Sequence, residues 1–221
     1  MIKQRLQELS QLLNQYNYCG YIVPSSDEYM SEYTPNYAKR LEYITGFTGS
    51  NGVAVILPHI TLFFTDGRYL TQSKQQLDPE LFEVHNIADF FSFNWQHYVL
   101  PEQKIAFDPR LFTNQYIHNL KNLNLVSEEQ NLIDLIWQDQ PPRPQSEIFE
   151  YDEQYAGQGY EDKIKLCRGF LMEYQSDALL ICDSASICWL LNIRANDVDF
   201  CPILLGHLLI THTEIYLFTE E

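Results

Sequence analysis

The sequence predicts an α/β protein made of two successive modules with mixed sheets, the second of them incomplete. Three observations predict it. Apolar stretches switch back and forth between strand and helix periodicity; the cluster Pro141-Pro142-Arg143-Pro144 interrupts them; and the order of elements that opens the chain starts again after residue 150. The length agrees, since 221 residues is comfortable for two domains of roughly 100–150 residues each.

Leu6, Leu9, Leu12, Leu13 and Tyr16 recur at helical spacing with polar residues between them, which describes an amphipathic first helix. Gly20-Tyr21-Ile22-Val23 reads as a short buried strand, stopped by Pro24-Ser25-Ser26-Asp27. A glycine-rich stretch leads to two strands, 53–57 and 61–64, which Pro58-His59-Ile60 separates at hairpin distance. Tyr69, Leu70, Ser73 and Leu77 share a face, so residues 68–77 read as a helix behind the Asp66-Gly67 breaker. Strands are expected at 82–84 and 104–107, helices at 90–98 and 114–123, and a last helical turn or two at 131–137. Hairpins and crossovers together imply a mixed sheet.

The prolines then stiffen the backbone and mark the boundary. Beyond them a helix at 159–174 precedes the strand Ala178-Leu179-Leu180-Ile181, as the first helix preceded Gly20. Trp189 to Ile193 and strands at 203–210 and 214–218 follow in the order seen from Leu41 to Thr65, so the second half reads as a divergent repeat of the first. It stops at Glu220-Glu221, where the first module still had strands and helices to run, and the expectation is that the chain is a truncated part of a longer protein.

Composition excludes several functions. Fourteen Lys and Arg against thirty Asp and Glu leave a charge of -16, which repels phosphate backbones and anionic headgroups, so no nucleic acid and no membrane is expected as partner. No apolar run approaches the ~20 residues of a membrane span, and the polar opening from Lys3 to Gln11 is no signal peptide. Cys19, Cys167, Cys182, Cys188 and Cys201 are odd in number, sit in apolar surroundings and form no C-x-x-C pair, which suits reduced buried thiols in the cytoplasm.

A search for chemistry finds no active site. There is no H-E-x-x-H, and the six histidines are scattered; His207 and His212, five apart on one expected strand, would face opposite ways. Thr48 stands where a nucleophile elbow around Ser50 needs glycine, and Gly46, Gly49 and Gly52 do not have phosphate-loop spacing, so these glycines are read as tight turns with positive φ. Arg68, beside an Asp-Gly turn, is a candidate binding residue against the plainer reading of a solvated or locally paired arginine. Arg194 with Asp197 reads as a similar local pair fixing a loop.

Several segments, taken in order and spacing, resemble the large cytosolic, three-domain type of Xaa-Pro aminopeptidase (aminopeptidase P) of the creatinase/prolidase superfamily. They are Ser31-Glu32-Tyr33; the stretch 40–52 with Gly46-Phe47 and Gly49-Ser50; Thr65-Asp66-Gly67-Arg68-Tyr69; Ile136-Trp137-Gln138-Asp139-Gln140-Pro141 with Arg143-Pro144; and Trp189-Leu190-Leu191-Asn192-Ile193-Arg194 followed by Asp197-Val198 and Pro202. The chain departs from the family at Ala195, where glycine often follows the arginine, and at Asn51, where a small residue is common.

The resemblance implies two creatinase N-terminal-like modules with a ribonuclease H-like motif. The first would span residues 1–140 and a Pro-rich linker 141–150, with the start of the second at 151–221 and a catalytic pita-bread domain absent. It implies a noncatalytic region that shapes substrate access and supports a homodimer, in an enzyme that removes the N-terminal residue from peptides with proline second. Two manganese ions would lie in that absent domain, with no metal ligand and no catalytic residue in this chain, and Arg68 is implied to contact substrate. Two other readings stand beside it. One is the N-terminal region of a prolidase or creatinase relative, disfavoured because those have one such module. The other is a nonenzymatic protein-binding module, which the acidic charge suits weakly.

Overall fold

The structure, a computed structural model, describes residues 1–219; Glu220 and Glu221, the expected stopping point of the second module, lie outside the described residues. The chain forms two units: Met1–Asp27 with Ala38–Gln140, and Glu28–Tyr37 with Pro141–Glu221. The short stretch Glu28–Tyr37 thus belongs with the second unit, although it lies within the range 1–140 that the sequence assigns to the first. Chemistry explains the grouping. Arg143 donates to Glu28 (3.0 Å) and lies 4.9 Å over the Tyr37 ring, Tyr37 donates to the same carboxylate, and Asn36 donates to Asp199.

In the first unit α1 (Ile2–Gln15) leads into β1 (Gly20–Pro24). Next come α2 (Arg40–Thr45), β2 (Val53–Ile56), β3 (Thr61–Thr65), α3 (Leu70–Gln76), β4 (Phe82–Asn86), β5 (Lys104–Phe107), α4 (Asn114–Asn119) and β6 (Asn124–Ser127). Among the described residues the strands form one sheet in the order β4-β3-β2-β1-β5-β6. Only the β1/β2 and β2/β3 pairs are antiparallel, so β2 alone runs against the others. The mixed sheet is as expected, and it gathers the C-terminal ends of β1, β3, β4, β5 and β6 along one edge.

Both faces of this sheet are covered, which is why its central strands are buried at every position and largely apolar. Tyr21, Val23, Ala54, Ile56 and Phe63 pack under α1 and α2, with Leu9, Leu13 and Ile44. Ile22, Val55, Leu62 and Phe64 pack on the other side against Phe90, Trp95 and Phe112. Arg40, only 2% exposed, spans from α2 to Asp134 with a bidentate fork (2.7 and 2.9 Å) and pins the segment after β6 to the core.

Several expected helices are shorter or different. Residues 90–98 are not an α-helix but two 3-10 turns, Ile87–Ser92 and Trp95–His97. Phe93 sits extended between them, and its ring meets Trp95 at 4.8 Å and Phe64 at 5.1 Å; an aromatic cluster, not a helical stripe, set that spacing. The helix expected at 114–123 stops at Asn119 and yields to β6, and 131–137 forms hydrogen-bonded turns. The helix expected from residue 68 begins at Leu70, leaving Arg68 in the turn before it.

The second unit contains β7 (Phe149–Glu150), α5 (Glu153–Ala156), α6 (Tyr160–Glu173), β8 (Ala178–Ile181), α7 (Ser184–Leu191), β9 (Ile193–Arg194), β10 (Gly206–Thr211) and β11 (Ile215–Thr219). Its main sheet, β11-β10-β8, repeats the first unit's β3-β2-β1 in order and antiparallel sense, with α6 and α7 in the chain positions of α1 and α2. Among the described residues this second sheet is antiparallel throughout, not mixed. One face, with Leu208 and Ile210, packs on Ile164, Ile187 and Leu190; on the other, Leu180, Tyr216 and Phe218 are exposed.

Lys163 is 2% exposed and donates to the carbonyl of Trp189 (2.7 Å) and the side chain of Asn192 (2.6 Å), and burial lowers its pKa. Asn192 ends α7 in the left-handed region, at φ 53. The stretch expected as a bare linker is tied in as well, because Ser146 donates to Asp197 (2.6 Å) and Phe149 pairs with Arg194.

Candidate functional site

The edge holding the strand C-termini is where open α/β sheets bind ligands. Three loops meet there in the first unit: the one after β1, the one before β2 and the one after β3. Their backbones are knitted together. Ser25 N–H donates to the Gly52 carbonyl (2.9 Å), and Thr65 Oγ1 donates to the Asn51 carbonyl (2.6 Å).

Of the glycines that shape the middle loop, Gly46 alone has the expected positive φ, at 79°, ending α2. Gly49 and Gly52 are needed for space instead. A Cβ on Gly49 would run into the rings of Phe47 and Tyr69, and one on Gly52 would lie 2.8 Å from the Phe63 ring. Close approach of backbone to aromatic rings, not turn geometry, selects glycine at those two positions.

Arg68 stands at the rim of this loop cluster. Asp66 accepts its backbone N–H (2.9 Å), its Nε (3.1 Å) and its Nη2 (2.8 Å), and also accepts Asn51 Nδ2 (2.8 Å). These bonds, the Arg68 side chain first, hold the Asp66 carboxyl well below the usual carboxylate range. The Arg68 side chain is 69% exposed, so the guanidinium is held by one edge while facing solvent, 5.2 Å from the Tyr69 ring. Tyr69 is itself oriented by a 2.7 Å hydrogen bond with Ser50. The local pair considered from sequence is therefore present, and its geometry presents the arginine outward.

Sequence reasoning missed a second arrangement of the same kind. Asp108 follows β5 as Asp66 follows β3, and it accepts the backbone N–H (3.0 Å), Nε (3.0 Å) and Nη2 (2.7 Å) of Arg110. Burial would raise the Asp108 pKa, but the bonds from Arg110 and Asn131 outweigh it and lower it. The signal was in the chain: Asp-x-Arg directly after a strand occurs in both Asp66-Gly67-Arg68 and Asp108-Pro109-Arg110. The strands β3 and β5 are three places apart, so the two motifs sit about 14 Å from each other along the sheet edge.

The remaining candidates do other work. Arg194 and Asp197 do not pair: Arg194 donates to the carbonyls of Cys188 and Ile193 and lies over Tyr151, while Asp197 accepts from Ser146 and the Leu205 N–H. His207 stacks near Tyr29 and His212 falls beyond the end of β10, so the two do not share a strand. The cysteines form no disulfide, but they are less uniformly buried than expected, with Cys188 buried and Cys182 exposed. Among the described residues no group of three or more His, Cys, Asp or Glu is placed to hold a metal ion. No helix among them is long and apolar enough to cross a membrane.

A family model described as the Creatinase/Prolidase N-terminal domain matches residues 5–136, and a second of the same description matches 139–221. A probable Xaa-Pro aminopeptidase P of Laccaria bicolor is 33% identical over 99% of this chain and 36% of its own length. The Xaa-Pro aminopeptidase ApepP of Drosophila melanogaster is 33% identical over 100% of this chain and 38% of its own length. The crystal structure of an X-prolyl aminopeptidase from Caenorhabditis elegans, described as a cytosolic enzyme with a di-nuclear active site, superposes with a TM-score of 0.90 at 27% identity. That match covers 100% of this chain and 39% of the nematode one. The chain thus spans a little over a third of the length of these relatives.

Proposed function

Because the chain belongs to the creatinase/prolidase N-terminal domain family, we propose that it is the noncatalytic N-terminal region of a metal-dependent Xaa-Pro aminopeptidase. The whole enzyme would remove the N-terminal residue from peptides with proline in second position, in the cytoplasm and as a homodimer. Similarity to Xaa-Pro aminopeptidases along essentially the whole chain supports this reading. So does the description of the nematode relative as cytosolic.

The observation that carries the site assignment is the held, outward-facing Arg68. With Asp66 fixing one edge of its guanidinium, the planar fork is pre-aimed to take a peptide carbonyl or carboxylate, which a flexible ammonium does not reproduce. Arg68 is a substrate-binding residue in this proposal, and no residue of the chain is catalytic. In the longer protein two metal ions, manganese by the family resemblance, would supply the Lewis acid and the hydroxide nucleophile. The part left to this chain is to bind and orient substrate and to shape access.

The test is an assay of the purified chain and of the longer protein on a Xaa-Pro peptide with added manganese. The chain alone is expected to be inactive, and the longer protein active in a manner that depends on Arg68. Turnover that co-purifies with the 221-residue chain would overturn the noncatalytic assignment.

A further inference from the structure

Helix α1 and the connection between β2 and β3 border a cleft at the edge of the first sheet opposite Arg68. Residues 57–60 lead into the start of β3, whereas Arg68 follows its end, so the two places lie at opposite ends of one strand. The cleft has a volume of about 470 Å³, within the range of small-molecule sites. Leu6 of α1, Leu57 and Ile60 of the connection and Leu81 ahead of β4 give it apolar walls.

Thr61 is the residue in this cleft that the fold leaves unexplained. It lines the cleft from the first position of β3, on the face that Phe63 turns toward α1. The residue is only 2% exposed, and its backbone N–H donates to the Leu81 carbonyl (2.9 Å). Its hydroxyl, by contrast, has no hydrogen-bond partner among the described residues. A hydroxyl buried without a partner costs free energy, and the cleft is the side from which a partner can reach it.

Charge selects the class of that partner. Lys3 lines the cleft and forms no ion pair among the described residues. No carboxylate lines it, although the chain carries thirty Asp and Glu; Glu8 and Glu80, next to lining residues in the sequence, are not part of the wall. Lys3 also stands in the first turn of α1, which has neither a side-chain cap nor an acidic residue to offset the positive end of the helix dipole.

We propose that this cleft binds a small organic anion, a carboxylate carried on an apolar body. The Lys3 ammonium and the Thr61 hydroxyl hold the carboxylate, and Leu6, Leu57 and Leu81 cover the apolar part. This site is separate from the one around Arg68, and the proposal goes beyond the peptidase reading without depending on it.

The experiment titrates the 221-residue chain with octanoate, by calorimetry and by amide NMR shifts, with octylammonium as the cationic control. Octanoate is expected to bind saturably with a Kd below about 1 mM, to shift the amides of Ser10, Leu57 and Thr61, and to outcompete octylammonium. Lys3→Glu should weaken it by about fivefold or more, while Lys121→Glu, an exposed lysine outside the cleft, should change it by less than about twofold. Thr61→Val should weaken octanoate by about threefold or more and, without ligand, leave the melting temperature unchanged or raise it, because the unpaired hydroxyl is gone. A Thr61→Val variant that melts lower would show that the hydroxyl serves the fold and would overturn its role here. No saturable binding, shifts that map elsewhere, equal binding of octylammonium, or indifference to Lys3→Glu would overturn the anion site, and none of these results bears on the peptidase reading.

Discussion

Asp66 holds Arg68 at both ends of one residue: its Oδ1 accepts the backbone N–H at 2.9 Å and its Oδ2 accepts Nη2 at 2.8 Å, with Nε between. A side chain so exposed would otherwise sample many rotamers, and the carboxylate removes most of them. The entropy of ordering the guanidinium is met in folding and not at binding. In the longer protein, Arg68→Ala is expected to lower kcat/KM by about 1.5–3 kcal/mol, the range of a hydrogen bond to a charged group, and Arg68→Lys to recover only part. If Arg68 only ties down its own loop, the melting temperature falls and kcat/KM per folded molecule stays within twofold of wild type.

Asp66 also offers a titration. Its folded-state pKa lies below the ordinary carboxylate range, chiefly through the Arg68 side chain. The folded state therefore binds this proton less readily than the unfolded chain. The pair's contribution to stability is present above the unfolded pKa of about 4, and it is lost as pH falls through the lower folded value. Carboxyl carbon shifts followed by NMR should show Asp66 charged at pH values where most surface carboxylates have protonated. Arg68→Ala should return it toward them; an Asp66 inflection that Arg68→Ala leaves in place would contradict the assignment.

The two glycines near Arg68 should respond in opposite ways. Gly67 lies in the turn with nothing within 4 Å of an added Cβ and without positive φ. Gly67→Ala should be neutral or stabilise by up to about 1 kcal/mol, through the unfolded state. Gly49→Ala drives a methyl into the Phe47 and Tyr69 rings, and overpacking of this kind costs about 1–3 kcal/mol. Thermal melts of both variants check the pair, and equal effects would show that the loop repacks freely.

Lys163 should behave as a structural post of the second unit. Lys163→Met keeps the apolar stem but leaves the Trp189 carbonyl and Asn192 Oδ1 without their donor. Orphaning the buried Asn192 acceptor costs about 1–3 kcal/mol, and the part-buried Trp189 carbonyl less. Hydrogen exchange should show the loss in α6 and α7 while β1, β2 and β3 keep their protection. Unchanged protection in α6 would mean that water replaces the ammonium.

The hairpin of β2 and β3 and the repeat of helix, strand, helix and hairpin were legible in the sequence because short, β-branched apolar runs such as Val53 to Ile56, bounded by turn residues, read as buried strands. What escaped was set by tertiary contact. Edge strand β6 is half-buried and short, with Asn124 and Ser127 exposed at its ends, so it shows no period. The break at Phe93 follows from rings gathering around Trp95, which no local rule anticipates. At the candidate site Arg68 was readable as a turn arginine from Asp66-Gly67, yet its outward aim depended on Asn51, fifteen residues earlier, also bonding Asp66.

The stretch Glu28–Tyr37 bears on how the protein is made. It emerges from the ribosome early, but Glu28 finds its partner Arg143 only 115 positions later. At typical synthesis rates of about 5–20 residues per second, Glu28 waits on the order of ten seconds before Arg143 is made. During that interval the first unit can close behind it, with Asp27 and Ala38 as the points where the strap enters and leaves. The second unit is therefore stitched from two ages of the same nascent chain, and slowing translation across residues 38–140 should lengthen the time in which this strap is open to proteases.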